Sequence, residues 1–382
     1  MGLWKSAESS NNPFNVINIF ICGDVMTGRG IDQILPHPGD PLIHEPYLKS
    51  AKEYVRLAEE KNGLIPKPVD FSYIWGDSLH KLNRKAPDLR IINLETSVTK
   101  SKEYWKDKEI HYRMNPENIP CITAAKISYC SLANNHILDW GYSGLTETME
   151  TLAKAKVKNS GAGQNIADAQ SPAVLEVRGK GRVIVFSFGS KTSGIPLSWT
   201  AAENKAGVDL LRDLSDQTVS DIKKRVEAIK SERDIVVASI HWGANWGYDV
   251  SIEQRAFAHK LVSDGGVDIV HGHSSHHVKG IEVYGNKLIL YGCGDFLNDY
   301  EGIEGYELFR SDLCLMYFAN VEVATGTLLS LEMSPMQIRR FRVNQASRED
   351  ALWLKGRLDV QGKKFGVSVE LKEDNTLSLQ WN

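Results

Sequence analysis

Short apolar runs that each stop at a metal-ligating type of side chain constrain this chain more than any other feature. Residues 16–21 lead to Gly23-Asp24, residues 89–92 to Asn93-Leu94-Glu95, and residues 127–132 to Asn134-Asn135-His136. Residues 235–240 lead to His241-Trp242-Gly243, and residues 267–270 to His271-Gly272-His273, with His276 and His277 close behind. Such short, continuous runs read as strands buried on both faces. Helical patterns separate them at 45–62, 143–158, 216–232 and 251–264, so the fold class is α/β. Further strands are expected over 183–188 and over 287–291, the latter ending near Asp295. Pro66 and Pro68 mark residues 63–70 as a connection. Residues 100–120 are charged and aromatic without a period, and read as a loop crossing the site or a lid. Past residue 312 the pattern turns strand-rich, with a short helix at 347–358 and two closing strands. We therefore expect a main body over 16–310. Over 311–382 we expect a β-rich segment that completes a sheet or forms a small appendage.

In open α/β sheets the functional crevice lies at the carboxyl ends of the strands. Asp24, Glu95, Asn135, His136, His241 and the 271–277 histidines would converge there. Their chemistry suits a divalent ion: carboxylates can bridge cations, the Asn carbonyl is a neutral oxygen ligand, and imidazole suits Zn, Fe or Mn. Taken singly, each has another reading. Asp24 could cap a helix, Glu95 join an ion pair, Asn135 form a turn, and His241 be a core imidazole. The conjunction favours a site, because four of the chain's eleven histidines fall within residues 271–277, directly after an apolar strand. Four residues nearby are candidate substrate contacts. Arg29, on the loop leaving Asp24, could clamp a carboxylate or phosphate bidentately. Arg113 lies in the loop over the site, and Trp242 and Trp246 could wall the pocket.

The composition is that of a globular protein, with 42% hydrophobic and 24% charged residues. A net charge of -3 offers no bulk attraction for nucleic acid. The five cysteines have no zinc-knuckle spacing and are expected to be buried free thiols. No apolar stretch approaches the ~20 residues of a membrane span, and no secretory leader is visible, so a soluble, cytoplasmic protein is expected. Residues 1–15 are polar, and Met1-Gly2-Leu3-Trp4-Lys5-Ser6 fits the loose N-myristoylation pattern.

Six segments occur in order: Gly23-Asp24-Val25-Met26; Asn93-Leu94-Glu95; Ala133-Asn134-Asn135-His136 with Asp139 and Gly141; Gly161-Ala162-Gly163; His241-Trp242-Gly243; and Gly272-His273-Ser274-Ser275-His276. Together, over residues 16–300, they resemble the CapA family of capsule and poly-γ-glutamate synthesis proteins, which is similar to the calcineurin-like metallophosphoesterases. The resemblance implies a four-layer α/β/β/α sandwich with a small C-terminal strand-rich extension, and one or two divalent ions (Mn, Zn or Fe). It also implies roles. Asp24 and His276 would hold a first metal, and Glu95 would bridge. Asn135, His241 and His273 would hold a second. His136 would be the acid, oriented by Asp139. Where metallophosphoesterases carry a histidine two residues after the first Asp, this chain has Met26, which leaves the first metal one ligand short. His271 and His273 have the usual two-residue spacing of the closing histidines, whereas the resemblance prefers His273 with His276; both pairings stay open.

Three functions are compatible with these residues. One is a metal-dependent hydrolase acting on a phosphoester or on an amide of an anionic polymer such as poly-γ-glutamate, or on a small phosphorylated substrate. Another is a non-catalytic accessory protein that binds such a polymer. The third, a structural zinc site, is disfavoured because such sites prefer cysteine.

Overall fold

The computed structural model describes residues 15–381, so the N-terminal acylation pattern at Gly2 lies outside the described residues. The principal strands are β1 (Val16–Val25), β2 (Leu89–Leu94), β3 (Tyr129–Ser131), β4 (Lys158–Ser160), β5 (Ala173–Val177), β6 (Gly181–Gly189), β7 (Asp234–His241) and β8 (Ile269–His273). They continue with β9 (Ile281–Tyr284), β10 (Lys287–Leu290), β11 (Asp295–Leu297), β12 (Leu313–Glu322), β13 (Leu328–Ile338), β14 (Val367–Leu371) and β15 (Leu377–Trp381). One sheet runs β14-β15-β13-β12-β1-β2-β3-β4, with β11 also beside β1; the other runs β9-β10-β8-β7-β6-β5. β1, β2, β3 and β4 are mutually parallel, and so are β6, β7, β8 and β10.

Side-chain alternation packs the two sheets face to face. Ile17, Ile19, Ile21 and Ile91 of the first sheet share one buried cluster with Val183, Val185, Ile235, Val237 and Ile269 of the second. The opposite faces are covered by helices. Phe20, Cys22 and Ile92 pack on residues of α1 (Lys52–Asn62), α2 (Ser78–Lys85) and α3 (Gly141–Lys154). Phe186, Val236 and Ala238 pack on α4 (Asp216–Glu227) and α5 (Ile252–Ser263). The strands past residue 311 lie in the first sheet, β12 running antiparallel beside β1. α6 (Arg348–Gly362) places Leu354 and Leu358 in the core between the sheets.

Helix starts follow local chemistry. Ser215, Ser251 and Ser347 each accept a backbone N–H at the N-cap, and Ser251 forms a full capping box with Gln254. The helix expected over 45–62 begins only at Lys52, and the preceding stretch is held by an isolated bridge between Leu42 and Ser50. The C-terminal helix, expected to end at 358, runs on to Gly362. β4, β5 and β9 were not expected; β4 and β5 are short strands at sheet margins, where burial writes little apolar pattern. All five cysteines are buried and unpaired. Among the described residues no helix is long and apolar enough to cross a membrane.

One irregularity matters for the site. On β1, Ile17, Ile19 and Ile21 face the inter-sheet core, so even-numbered residues should face outward. The pairing with β2 slips between Ile21 and Asp24, so that Ile21 is opposite Ile91 while Asp24 is opposite Asn93. This bulge rotates Asp24 to the inner side. Gly23 makes it possible, because a Cβ there would lie 1.7 Å from the Gly294 carbonyl oxygen. Gly23→Ala therefore clashes with fixed backbone and should lose more than the ~1–3 kcal/mol typical of core overpacking. Chemical denaturation checks this; an unchanged midpoint would contradict the bulge.

Candidate functional site

The parallel strands of both sheets end at one edge, where Asp24, Glu95, His241 and His273 are buried and Asn135 is half-buried. One ligand atom from each of Asp24, His241 and His273 lies within 4.8 Å of the other two. Glu95 completes the group, its Oε1 standing 3.8 Å from His241 Nε2 and 3.7 Å from His136 Nε2. Asn93 links the two acids, its amide donating to Asp24 Oδ1 at 2.7 Å and to Glu95 Oε2 at 3.2 Å. Ser274 donates its N–H to Asp24 Oδ2 at 3.1 Å from a backbone with φ of 100°, a strained position for a residue with a Cβ.

These acids have few cationic neighbours. Burial, and then the Asp295 charge, pushes Asp24 up to about 7. Burial, with Asp24 and Asp295, pushes Glu95 well above the usual carboxylate range. Burial also holds His241 and His273 well below the usual histidine range, so they present neutral rings.

The tautomers of those rings can be deduced. The Cys22 carbonyl, which can only accept, lies 2.8 Å from His271 Nε2, so that nitrogen carries the proton. Nδ1 of the neutral His271 then accepts from the Ser239 hydroxyl at 3.0 Å. The Ser239 oxygen in turn accepts from His273 Nε2 at 2.9 Å. His273 Nδ1 is left unprotonated, 3.8 Å from Asp24 Oδ1. It also lies 2.8 Å from His241 Nδ1, which must then donate. Unless Asn135 turns its amide nitrogen inward, His241 Nε2 and Asn135 Oδ1 face each other at 3.1 Å with no proton between them. Converging lone pairs and buried carboxylates make a donor set that fits a cation.

Beside this set, His136 Nδ1 lies 2.6 Å from Asp139 Oδ2, which fixes Nδ1 as the protonated nitrogen and leaves Nε2 facing Glu95. Burial, with the charges of Lys108 and Arg29, holds this ring well below the usual histidine range. Lys108 donates to Asp139 Oδ1 at 2.5 Å and to the Asn135 carbonyl. The loop over 100–120 thus reaches the site through Lys108, a residue with no distinguishing sequence signal. His276 stands at the same edge with Nδ1 2.9 Å from Asp295 Oδ1. Burial lowers that ring, but Asp295 more than offsets it, so His276 titrates above the usual range.

Other expectations are corrected. Arg29 is not open to a substrate: its guanidinium donates to Asp299 Oδ1 and Oδ2, Glu45 and Tyr54, four of its five N–H groups, and lies over the Tyr54 and Tyr112 rings. Arg113 spends its guanidinium on the Ser101 and Asp40 carbonyls and the Trp140 ring. Trp242 packs on Phe257 and Tyr291 behind the second sheet, its Nε1 donating to the Tyr291 carbonyl. Trp246, not Trp242, faces the site edge, with its ring 5.2 Å from that of His276. His271 spends its nitrogens on the Ser239 hydroxyl and the Cys22 carbonyl and lies outside the Asp24, His241 and His273 group. Met26 is buried and its sulfur accepts from Tyr300 at 3.6 Å. Ser239 and Asn93 have no role of their own in the sequence reading, though each is polar on the inner face of a largely apolar strand, which is a readable signal.

The hydrogen-bond chain makes two predictions. Ser239→Ala leaves two buried imidazoles each short of a partner and should cost roughly 1–3 kcal/mol by denaturant unfolding; an unaffected stability would break the chain. His271 is pushed down to about 4 by burial. Its folded pKa is below its unfolded one, so its stabilising contribution is complete above roughly 6.5 and is lost as pH falls from there toward 4. The melting temperature should drop between pH 7 and 5, and His271→Gln should flatten that drop; an equal slope in both proteins would exclude this origin.

The sequence profile of the bacterial capsule synthesis protein family PGA_cap matches residues 18–300. The chain is 46% identical over 371 residues to a probable polyglutamine synthesis accessory protein of Mycobacterium tuberculosis, covering 97% of each chain. It is 30% identical over 235 residues to the PGA biosynthesis protein CapA of Bacillus subtilis, covering 61% of this chain and 58% of that one. To the capsule biosynthesis protein CapA of Bacillus anthracis it is 25% identical over 327 residues, covering 85% and 68%. With the ordered motifs at its strand ends and a profile match over most of its length, the chain belongs to the bacterial capsule synthesis protein family, the CapA family.

Proposed function

We propose that this protein is a metal-dependent hydrolase that works on an anionic polymer, cutting a phosphoester or an amide such as those of poly-γ-glutamate. The observation that carries this reading is the His136–Asp139 pair beside a set of converging acceptors. A purely binding site has no need of an imidazole whose tautomer is fixed by a buried carboxylate. Two facing sheets with helices outside, and ligand-type residues at the strand ends, support a metallophosphoesterase-like sandwich. The relatives' names, which speak of polyglutamine, PGA and capsule synthesis, support the polymer.

Asp24, Glu95, Asn135, His241 and His273 would hold the divalent ion, Mn, Zn or Fe, with His276 at its margin. Such an ion would supply a water of lowered pKa and polarise the carbonyl or phosphoryl oxygen beside the bond to be cut. His136 Nε2, a lone pair on a neutral ring, takes a proton from the attacking water and returns it to the departing oxygen or nitrogen. Asp139 keeps Nδ1 protonated and stabilises the imidazolium formed midway. Lys108 balances the Asp139 charge and ties the covering loop to the Asn135 carbonyl.

A non-catalytic accessory role is the second reading, favoured by Met26. A thioether bonded to the Tyr300 hydroxyl stands where a further imidazole would complete a first metal.

The test is metal analysis of the purified protein, followed by hydrolysis assays on a generic phosphodiester and on poly-γ-glutamate. Bound metal is expected, and turnover that His136→Ala lowers by about 10²–10⁴. Polymer binding without turnover under any metal would favour the accessory role. A protein indifferent to Mn, Zn and Fe would contradict both the hydrolase and the metal.

A further inference from the structure

A second cleft lies beside the metal-type site, on the other side of the 243–250 loop. It measures ≈ 230 Å³ and is lined by Tyr248, Ser251, Arg255, Arg357, Gln361 and Lys364, among others. Its neighbourhood connects to the site through adjacent residues. His276 faces Asp295 and Trp246, while His277 faces Tyr248 and Phe309. The loop thus carries Trp246 on the site side and Tyr248 into the cleft.

The charges lining this cleft are unequally committed. Arg255 is fixed, its Nη2 2.6 Å from the buried Glu282. Among the described residues the Lys364 ammonium pairs with Asp249 alone, at 3.2 Å, and both are solvent-exposed, so that pair is weak and exchangeable. Arg357 has no ion pair or hydrogen bond for its guanidinium among the described residues. It rests over the Tyr248 and Trp353 rings at 5.4 and 5.1 Å. A half-buried, ring-stacked guanidinium with its donor fork unused suits a planar carboxylate. Three polar atoms of the cleft residues also lack partners, Tyr248 Oη, Arg255 Nε and Gln361 Oε1, and Gln361 is only 6% exposed. Buried polar groups in folded proteins are almost always paired, so these atoms mark the cleft as a place for a polar partner.

We propose that this cleft holds a side-chain carboxylate of the anionic polymer, gripped by Arg357 and Lys364, while a neighbouring stretch of the same strand lies at the site. The choice of polymer rests on the reading under Proposed function; the carboxylate chemistry of the cleft does not. Spacing the two positions along one strand would favour long substrates over single residues.

The experiment is equilibrium titration of poly-γ-glutamate into the His136→Ala protein, where no turnover interferes, with free glutamate and inorganic phosphate as competitors. Binding is expected to weaken at least tenfold in Arg357→Gln, to be only partly restored in Arg357→Lys, which keeps the charge and loses the fork, and to resist both competitors. If Arg357→Gln folds poorly by circular dichroism, Lys364→Glu on the exposed rim provides the same comparison, with a several-fold loss expected. Unchanged affinity in whichever of the two variants is scored overturns the proposal. So does displacement by phosphate as effective as by polymer, since that describes a small-anion site. A protein that hydrolyses nothing, yet loses polymer affinity in Arg357→Gln, would sink the hydrolase and leave this cleft standing.

Discussion

Two buried acids at one sheet edge set the terms for the rest of the molecule. Asp24 and Glu95 are almost fully removed from water, linked by the Asn93 amide, and form no ion pair with a lysine or arginine among the described residues. Burying charge is unfavourable unless a proton, a paired cation or a metal compensates it. The His241 and His273 rings are neutral, and His241 Nε2 and His273 Nδ1 stand unprotonated beside the same space. That combination is poor for an empty protein and good for one built around a cation.

The fold supplies this edge through small departures from regularity. A bulge beside Gly23 turns Asp24 inward against the alternation of its strand. The strained Ser274 brings a backbone N–H to the same carboxylate. The ring of His271, between the sheets, transmits the acceptor-only character of the Cys22 carbonyl through Ser239 to His273. The first sheet therefore helps set which nitrogen of a second-sheet histidine is free. The two halves of the sandwich are coupled by hydrogen bonding as well as by apolar packing.

The α/β class and the ligand-type residues at strand ends were legible in the sequence because continuous apolar runs and their polar stops are local. Asp24, Glu95, Asn135, His136, Asp139, His241, His273 and His276 all lie together at the expected edge. What misled was side-chain commitment over distance. Arg29 reads as a free clamp until Asp299, far along the chain, is seen to occupy it. Arg113 is spent on backbone carbonyls and a ring, and Trp242 on the outer core, neither of which leaves a local mark. Lys108 was invisible for the opposite reason, since it sits in an aperiodic charged stretch where no pattern singles out one lysine. The hydrogen bonds of His271 to Ser239 and to the Cys22 carbonyl join residues far apart in the chain and leave no local mark either.

The central claim is that this edge is a cation site ligated by histidine nitrogen and carboxylate oxygen. X-ray absorption spectroscopy of the protein loaded with one equivalent of zinc or manganese tests it most directly. The account predicts a first shell containing imidazole scattering, reduced in His273→Ala and again in His241→Ala. A shell of oxygen alone, or one unchanged by both substitutions, would contradict it.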